Sequence, residues 1–283
     1  MNSSRSVGLA SVLLLLPIVF LNGCAHLGQP APVAPPPGWT LLWSDEFDRA
    51  GAPDPARWSY DVGGKGWGNH ELQFYTDARR ENARVENGRL IIEARREPWQ
   101  GSAYTSARLV TKGKADWTYG RFEIRARLPL GRGTWPAIWM LPTVWNLGDG
   151  KWPDNGEIDI MEQVGFDPGT VHASTHSQKH QWRNNTQRTA SVAVPDAGSA
   201  FHTYALEWDP EEMRIYVDDQ HYFTSKKAGG DWTIWPFDRN FYIVLNLAVG
   251  GDWGGIKGVD DAAFPQRMEV DYVRVYRRES AIP

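Results

Sequence analysis

The sequence predicts an all-β fold, a two-sheet β-sandwich or jelly roll. Three observations predict it. Short segments with strand-like alternation recur along the chain, among them GRLIIEARR, GRFEIRARLPL, TYALEWD, RIYVDD, NFYIVLNLAV and MEVDYVRVY. Turn signals separate such segments at Asn87-Gly88, Asp218-Asp219, Gly229-Gly230 and Gly250-Gly251. Long amphipathic helical patterns are almost absent, and no internal repeat is found.

The chain opens with one positive charge, Arg5, and an apolar run from Val7 to Leu21. That run is short for a membrane span and has the proportions of a secretory signal. Leu21-Asn22-Gly23-Cys24 resembles a bacterial lipoprotein signal. The resemblance implies that residues 1–23 are removed and that Cys24 becomes a lipidated N-terminus. Cys24 is the only cysteine, so an intramolecular disulfide and a multi-cysteine zinc site are excluded. Ala25 follows it instead of Asp, which by the same resemblance favours the outer membrane of a bacterial envelope. An ordinary signal peptide and a secreted protein are the alternative.

Residues 24–38 then form an uncharged Pro-rich spacer, expected to be stiff and extended. Residues 39–278 suffice for one all-β domain, followed by a short tail at 279–283, and a monomer is expected. Arg5 is the only charge in the leader, so the rest carries 29 Lys and Arg against 34 Asp and Glu, a net −5. Neither a basic patch nor an aromatic-plus-basic signature points to nucleic acid. The informative residue is Trp: all 15 follow the spacer, many beside Gly or Pro. Loop Trp with polar neighbours makes flat platforms for ligands.

The chemistry centres on GEIDIMEQVG, from Gly156 to Gly165. On an extended strand, side chains alternate faces. Glu157 and Asp159 therefore share a face, Ile158 and Ile160 take the other, and Glu162 has the wrong parity. A β-bulge near Ile160-Met161 would return Glu162 to the face of the first two. Acids on a solvated strand can be inert, but Trp135, Trp139 and Trp152 lie close by in sequence. Acids hemmed by Trp look like a sugar site. Hydrolysis of a glycosidic bond needs two carboxyl groups, and retention needs them only ~5–5.5 Å apart. Asp159, between the two Glu residues, would raise neighbouring pKa values and hold the rotamer of Glu157.

Trp152-Pro153-x-x-Gly156-Glu157-Ile158-Asp159-Ile160-Met161-Glu162 resembles the signature of glycoside hydrolase family 16 in its laminarinase-like branch, which has E-x-D-x-x-E where the lichenase branch has E-x-D-x-E. WSDEFD, GWGNHELQFYT, YTSARLVTKGK, YGRFEIRARLP, GTWPAIWMLP, NLAVGGDWGG and MEVDYVRVY resemble family blocks in family order, so the likeness covers nearly all of 39–277. It implies a two-sheet β-jelly-roll with a long concave substrate cleft and a retaining endo-acting β-1,3-glucanase on laminarin-type β-glucans. Glu157 would be the nucleophile, Glu162 the acid/base and Asp159 the residue orienting the nucleophile. Trp135, Trp139 and Trp152 would line sugar subsites, Asn69, Arg108 and His176 would hydrogen-bond sugar hydroxyls, and Trp253 would join the substrate-binding set. Arg108 has a plainer reading as an ion-pair partner in a sheet.

No cofactor is expected for catalysis. His172 and His176 have metal-like spacing only on a helix, and TVHASTHS reads as a strand. The resemblance allows a structural calcium near Glu46, Gly88 and Asp271, held partly by backbone oxygens. Two other functions stay open. One is a non-catalytic glucan-binding protein, against which the three intact acids count. The other is the same chemistry on mixed-linkage β-1,3-1,4-glucan, xyloglucan or a marine galactan.

Overall fold

The structure, a computed structural model, describes Met1 and residues 34–279. Cys24, nearly all of the expected signal, most of the spacer and most of the tail lie outside the described residues. Seventeen strands follow one another, with three short 3-10 turns and no α-helix among the described residues. They are β1 (Trp39–Asp45), β2 (Ser59–Tyr60), β3 (Gln73–Tyr75), β4 (Ala83–Glu86), β5 (Arg89–Trp99) and β6 (Ser102–Ser106). Next come β7 (Arg108–Val110), β8 (Gly120–Arg127), β9 (Thr134–Pro142), β10 (Glu157–Glu162), β11 (Thr170–His176) and β12 (Arg188–Ala193). Last are β13 (His202–Trp208), β14 (Glu212–Val217), β15 (Gln220–Lys226), β16 (Phe241–Val249) and β17 (Gln266–Arg278).

Two sheets form, as the alternating segments predict. The ten-stranded sheet runs β15-β14-β13-β8-β17-β5-β6-β3, with β1 on β17 and β4 on β5. The seven-stranded sheet runs β12-β11-β10-β9-β16-β7-β2. Alternation in β8 holds as read: Phe122, Ile124 and Ala126 are buried, while Arg121, Arg125 and Arg127 face outward. Glu123 on that outward face is also buried, because Arg121 and the Tyr276 hydroxyl cover it.

The core lies between the sheets. Phe122, Ile124, Tyr204 and Leu206 meet Ile138, Met140, Ile158, Leu245 and Leu247 there. Each such side chain contributes roughly 1.5–3 kcal/mol by leaving water. β16 is buried along its whole length. Its alternate residues Tyr242, Val244 and Asn246 face away from the core and are covered as well, which explains the nearly unbroken apolar run. β16 and β10 flank β9, and together these strands make the floor of a cleft on the outer face of the seven-stranded sheet.

Candidate active site

β10 carries the expected bulge. Against β9 its register runs Ile158↔Met140, Asp159↔Trp139, Met161↔Ile138 and Glu162↔Ala137, so Ile160 is the extra residue. Against β11 the pairing passes from Asp159↔Ser174 to Glu162↔His172, again one residue longer on β10. Ile158, Ile160 and Met161 are all fully buried in the core. Glu157, Asp159 and Glu162 all line the cleft. Burying two consecutive apolar side chains is what the bulge permits, and the next residue is thereby returned to the cleft.

Glycines bound this strand at both ends. A Cβ on Gly156, where φ is +88°, would lie 2.9 Å from Pro236 Cγ and 3.0 Å from Phe237 Cε1. A Cβ on Gly165 would lie 1.9 Å from the Gly131 carbonyl oxygen. Neither site has room for a larger residue, so the acidic strand sits against fixed neighbours before and after the bulge.

Each outer acid has an indole donor. Trp152 Nε1 donates to Glu157 Oε2 at 3.0 Å, and Trp135 Nε1 donates to Glu162 Oε1 at 2.9 Å. His176 Nε2 lies 3.1 Å from Asp159 Oδ2 and 3.8 Å from Glu157 Oε1. Burial pushes the Glu157, Asp159 and Glu162 carboxyls up to about 8. For Glu157, the charge of Asp159 adds to burial, while His176 and the Trp152 indole oppose it. For Glu162, Asp159 again adds to burial and the Trp135 indole opposes it.

The structure brings all ten expected catalytic and substrate-binding residues to one cavity of about 680 Å³. Trp139 Nε1 donates to Asn246 Oδ1 at 2.6 Å, and Asn246 Nδ2 donates to the Tyr75 hydroxyl at 3.0 Å. Asn69 Nδ2 donates to Glu71 Oε1 at 3.3 Å. Trp253 stands edge-on to Trp135, with ring centroids 5.5 Å apart, and to His172 at 5.0 Å. The Arg108 guanidinium lies over Trp139 at 4.7 Å and Trp67 at 4.9 Å. Its Nε is 3.0 Å from Asp61 Oδ2, an ion pair without hydrogen-bond geometry. Both readings of Arg108 thus meet in one side chain, an ion-pair partner that also lines the cleft.

Several cleft residues escaped the sequence reading. Trp67, Glu71, Trp182, Arg183 and Asn246 all line the cavity. Arg183 lies over Trp152 at 4.8 Å and Trp182 at 5.3 Å. A loop carrying adjacent aromatic and cationic residues, QWRNN, was a usable signal. Another was the lone polar residue, Asn246, in the apolar run of β16.

The residues expected around calcium lie on the other sheet. Glu46 follows β1, Gly88 sits in the β4–β5 turn, and Asp271 lies at an irregular point of β17. Arg274 donates to both Glu46 carboxylate oxygens at 2.9 and 2.8 Å. Arg125 Nη1 donates to Asp271 Oδ2 at 2.5 Å.

A jelly-roll sandwich with carboxyls set among indoles in an open cleft has the groups that glycoside hydrolysis requires. The chain belongs to glycosyl hydrolases family 16, whose model matches residues 70–274. It is 60% identical over 264 residues to the beta-glucanase of Rhodothermus marinus, with 91% of each chain covered. Its structure matches the laminarinase from Rhodothermus marinus with a TM-score of 0.84 at 61% identity, covering 85% of this chain and 98% of that one. It also matches a mutant of SCLam, a non-specific endo-beta-1,3(4)-glucanase, with a TM-score of 0.82 at 45% identity, covering 87% of this chain and 98% of that one. That SCLam structure presents a 1,3-beta-D-cellobiosyl-glucose at its active site.

Proposed function

We propose that this chain is a retaining endo-β-1,3-glucanase of laminarin-type glucans. The observation that carries the reading is the bulge that turns Glu157 and Glu162 to one cleft face, each with an indole on one oxygen. Likeness to a laminarinase and to an endo-acting relative with sugar in its active site supports it. Glu157 Oε2 is held by Trp152, leaving Oε1 to attack the anomeric carbon. Glu162 Oε1 accepts from Trp135, so the proton for the leaving oxygen sits on Oε2. The resulting glycosyl-enzyme is hydrolysed when Glu162 takes a proton from the incoming water. Asp159 acts on Glu157 through its charge, and His176 Nε2 stands 3.8 Å from Glu157 Oε1. Trp139 and Arg108 offer flat surfaces for sugar rings.

A panel of laminarin, mixed-linkage β-glucan, xyloglucan, agarose and carrageenan, with analysis of product lengths, tests the assignment. Internal cuts in laminarin are expected, and mixed-linkage β-glucan is the second substrate because SCLam is a non-specific endo-beta-1,3(4)-glucanase. Proton NMR of early products is expected to show the β-anomer first. Glucan binding without sugar release at any pH would favour the non-catalytic reading, and an α-anomer first would overturn retention.

Two further proposals rest on sequence. Cys24 carries a lipid that anchors the enzyme to the bacterial envelope, at the outer membrane, supported by Leu21-Asn22-Gly23-Cys24. Cys24→Ser then moves the protein from the membrane fraction to the soluble pool, and a wild type already soluble would refute the anchor. Calcium binds on the ten-stranded sheet through the backbone oxygens of Glu46 and Gly88 and the Asp271 carboxylate, all hard oxygen donors. Arg125 shares that carboxylate, so the fit depends on Oδ1. A melting temperature raised by calcium and restored by chelator supports the site; no change removes it.

A further inference from the structure

Three donor atoms from different side chains converge beneath the cleft. His176 Nε2 is 3.1 Å from Asp159 Oδ2 and 3.8 Å from Glu157 Oε1, and one donor atom from each of the three residues lies within 4.8 Å of the other two. A tetrahedral zinc ion with ligands at ~2.0–2.2 Å holds neighbouring donors about 3.3–3.6 Å apart. The two shorter separations bracket that edge. A second observation points the same way. Asp159 and His176 are 3% and 5% exposed, yet Asp159 Oδ2 and His176 Nδ1 have no hydrogen-bond partner. Asp159 Oδ2 and His176 Nε2 approach to 3.1 Å without hydrogen-bond geometry. Both atoms therefore remain available to a third.

We propose that Glu157, Asp159 and His176 bind a borderline divalent metal ion, with Zn²⁺ as the representative, in competition with the sugar. On binding, the two carboxyls give up their protons to solvent and balance the charge of the ion, and the imidazole selects zinc or copper over magnesium and calcium, which prefer all-oxygen shells. All three residues line the cleft, so a further ligand would come from water there. His176 Nδ1 lacks the outer hydrogen bond that usually holds a zinc-ligating imidazole, so binding is weaker than in a dedicated zinc site. The ion uses Glu157 Oε1, the oxygen assigned above to attack, so bound metal and hydrolysis exclude each other. That last consequence rests on the proposed function; metal binding does not.

The test is isothermal titration calorimetry of the full chain with zinc chloride, with and without a β-1,3-linked glucose oligosaccharide. One site of roughly micromolar affinity is expected. Asp159→Asn and His176→Gln should each weaken it at least about tenfold, and the oligosaccharide should displace the ion. Magnesium should give no binding at the same site. Unchanged zinc affinity in both folded variants would overturn the proposal and place the ion at another histidine such as His202, between Asp196 and Asp218. Zinc and oligosaccharide bound together without mutual displacement would overturn it as well, a readout that needs no variant to fold. Zinc binding with no hydrolysis of any glucan would leave this site standing and remove the proposed function.

Discussion

Trp135 donates its indole hydrogen to Glu162 Oε1 at 2.9 Å, so the aromatic residue expected to touch sugar also holds a carboxyl. A donor on that oxygen stabilises the charged form of Glu162, against the larger effect of burial. Trp135→Phe keeps a ring and removes the donor. The Glu162 pKa then rises, and a general acid active while protonated keeps working to higher pH. The alkaline limb of the rate profile is expected to move up, with kcat falling about tenfold for a lost charge-assisted bond. An alkaline limb that stays put in this variant would remove Glu162 from the acid role.

Asp159→Asn moves the profile the other way. Asp159 raises the pKa of both Glu157 and Glu162. Its neutralisation lowers both, so both limbs are expected to shift toward acid. Activity should fall about tenfold to a hundredfold through lost alignment of Glu157. Limbs moving in opposite directions would contradict the shared influence of Asp159.

Glu157→Gln and Glu162→Gln are expected to lower hydrolysis of β-1,3-glucan at least about a thousandfold. They should also change stability with a definite sign. Burial raises each carboxyl from 4.5 to about 8, so the folded chain holds these protons more tightly than the unfolded chain. That stabilisation is complete below 4.5 and is lost as pH rises through about 8. Glutamine carries no such dependence. Calorimetry should show wild type and variants diverging between pH 4 and pH 9, with the variants on the order of 2 kcal/mol more stable at the alkaline end. Parallel melting curves across that range would refute the claim.

Removing Met161 turns E-x-D-x-x-E into E-x-D-x-E and makes the bulge unnecessary. Measurable activity is expected, lowered about a hundredfold by a small misplacement. Removing both Ile160 and Met161 leaves the last Glu facing the core side, and that variant should be inactive. Circular dichroism and melting establish folding first. Two folded deletions with equal activity, or a more active double deletion, would show that the bulge does not set the position of Glu162.

Much of this was legible because strands repeat every two residues. Parity alone placed Ile160 and Met161 at a bulge, and the register against β9 puts the extra residue there. The Trp-rich flanks correctly located the cleft. Ring direction was not legible: sequence names Trp135 and Trp152 but not which edge of the indole meets an acid. Pairings across distant loops were also hidden. Arg183 reaches Trp152 from a segment with no regular strand pattern, and Arg108 on β7 meets Trp67 from the separate turn Gly66–Gly68.

β16 is covered on both faces and hydrogen-bonded on both edges, to β9 and β7. Amide hydrogens in such a strand exchange with solvent only when large parts of the domain open together. The cleft floor therefore belongs to the slowest-exchanging unit of the molecule, and Asn246 couples Trp139 to it. A sugar chain settling on that floor meets a surface whose shape is already fixed, so little ordering entropy is lost beneath the scissile bond. The remaining freedom lies with the rim, where Trp182 and Arg183 come from outside the sheets.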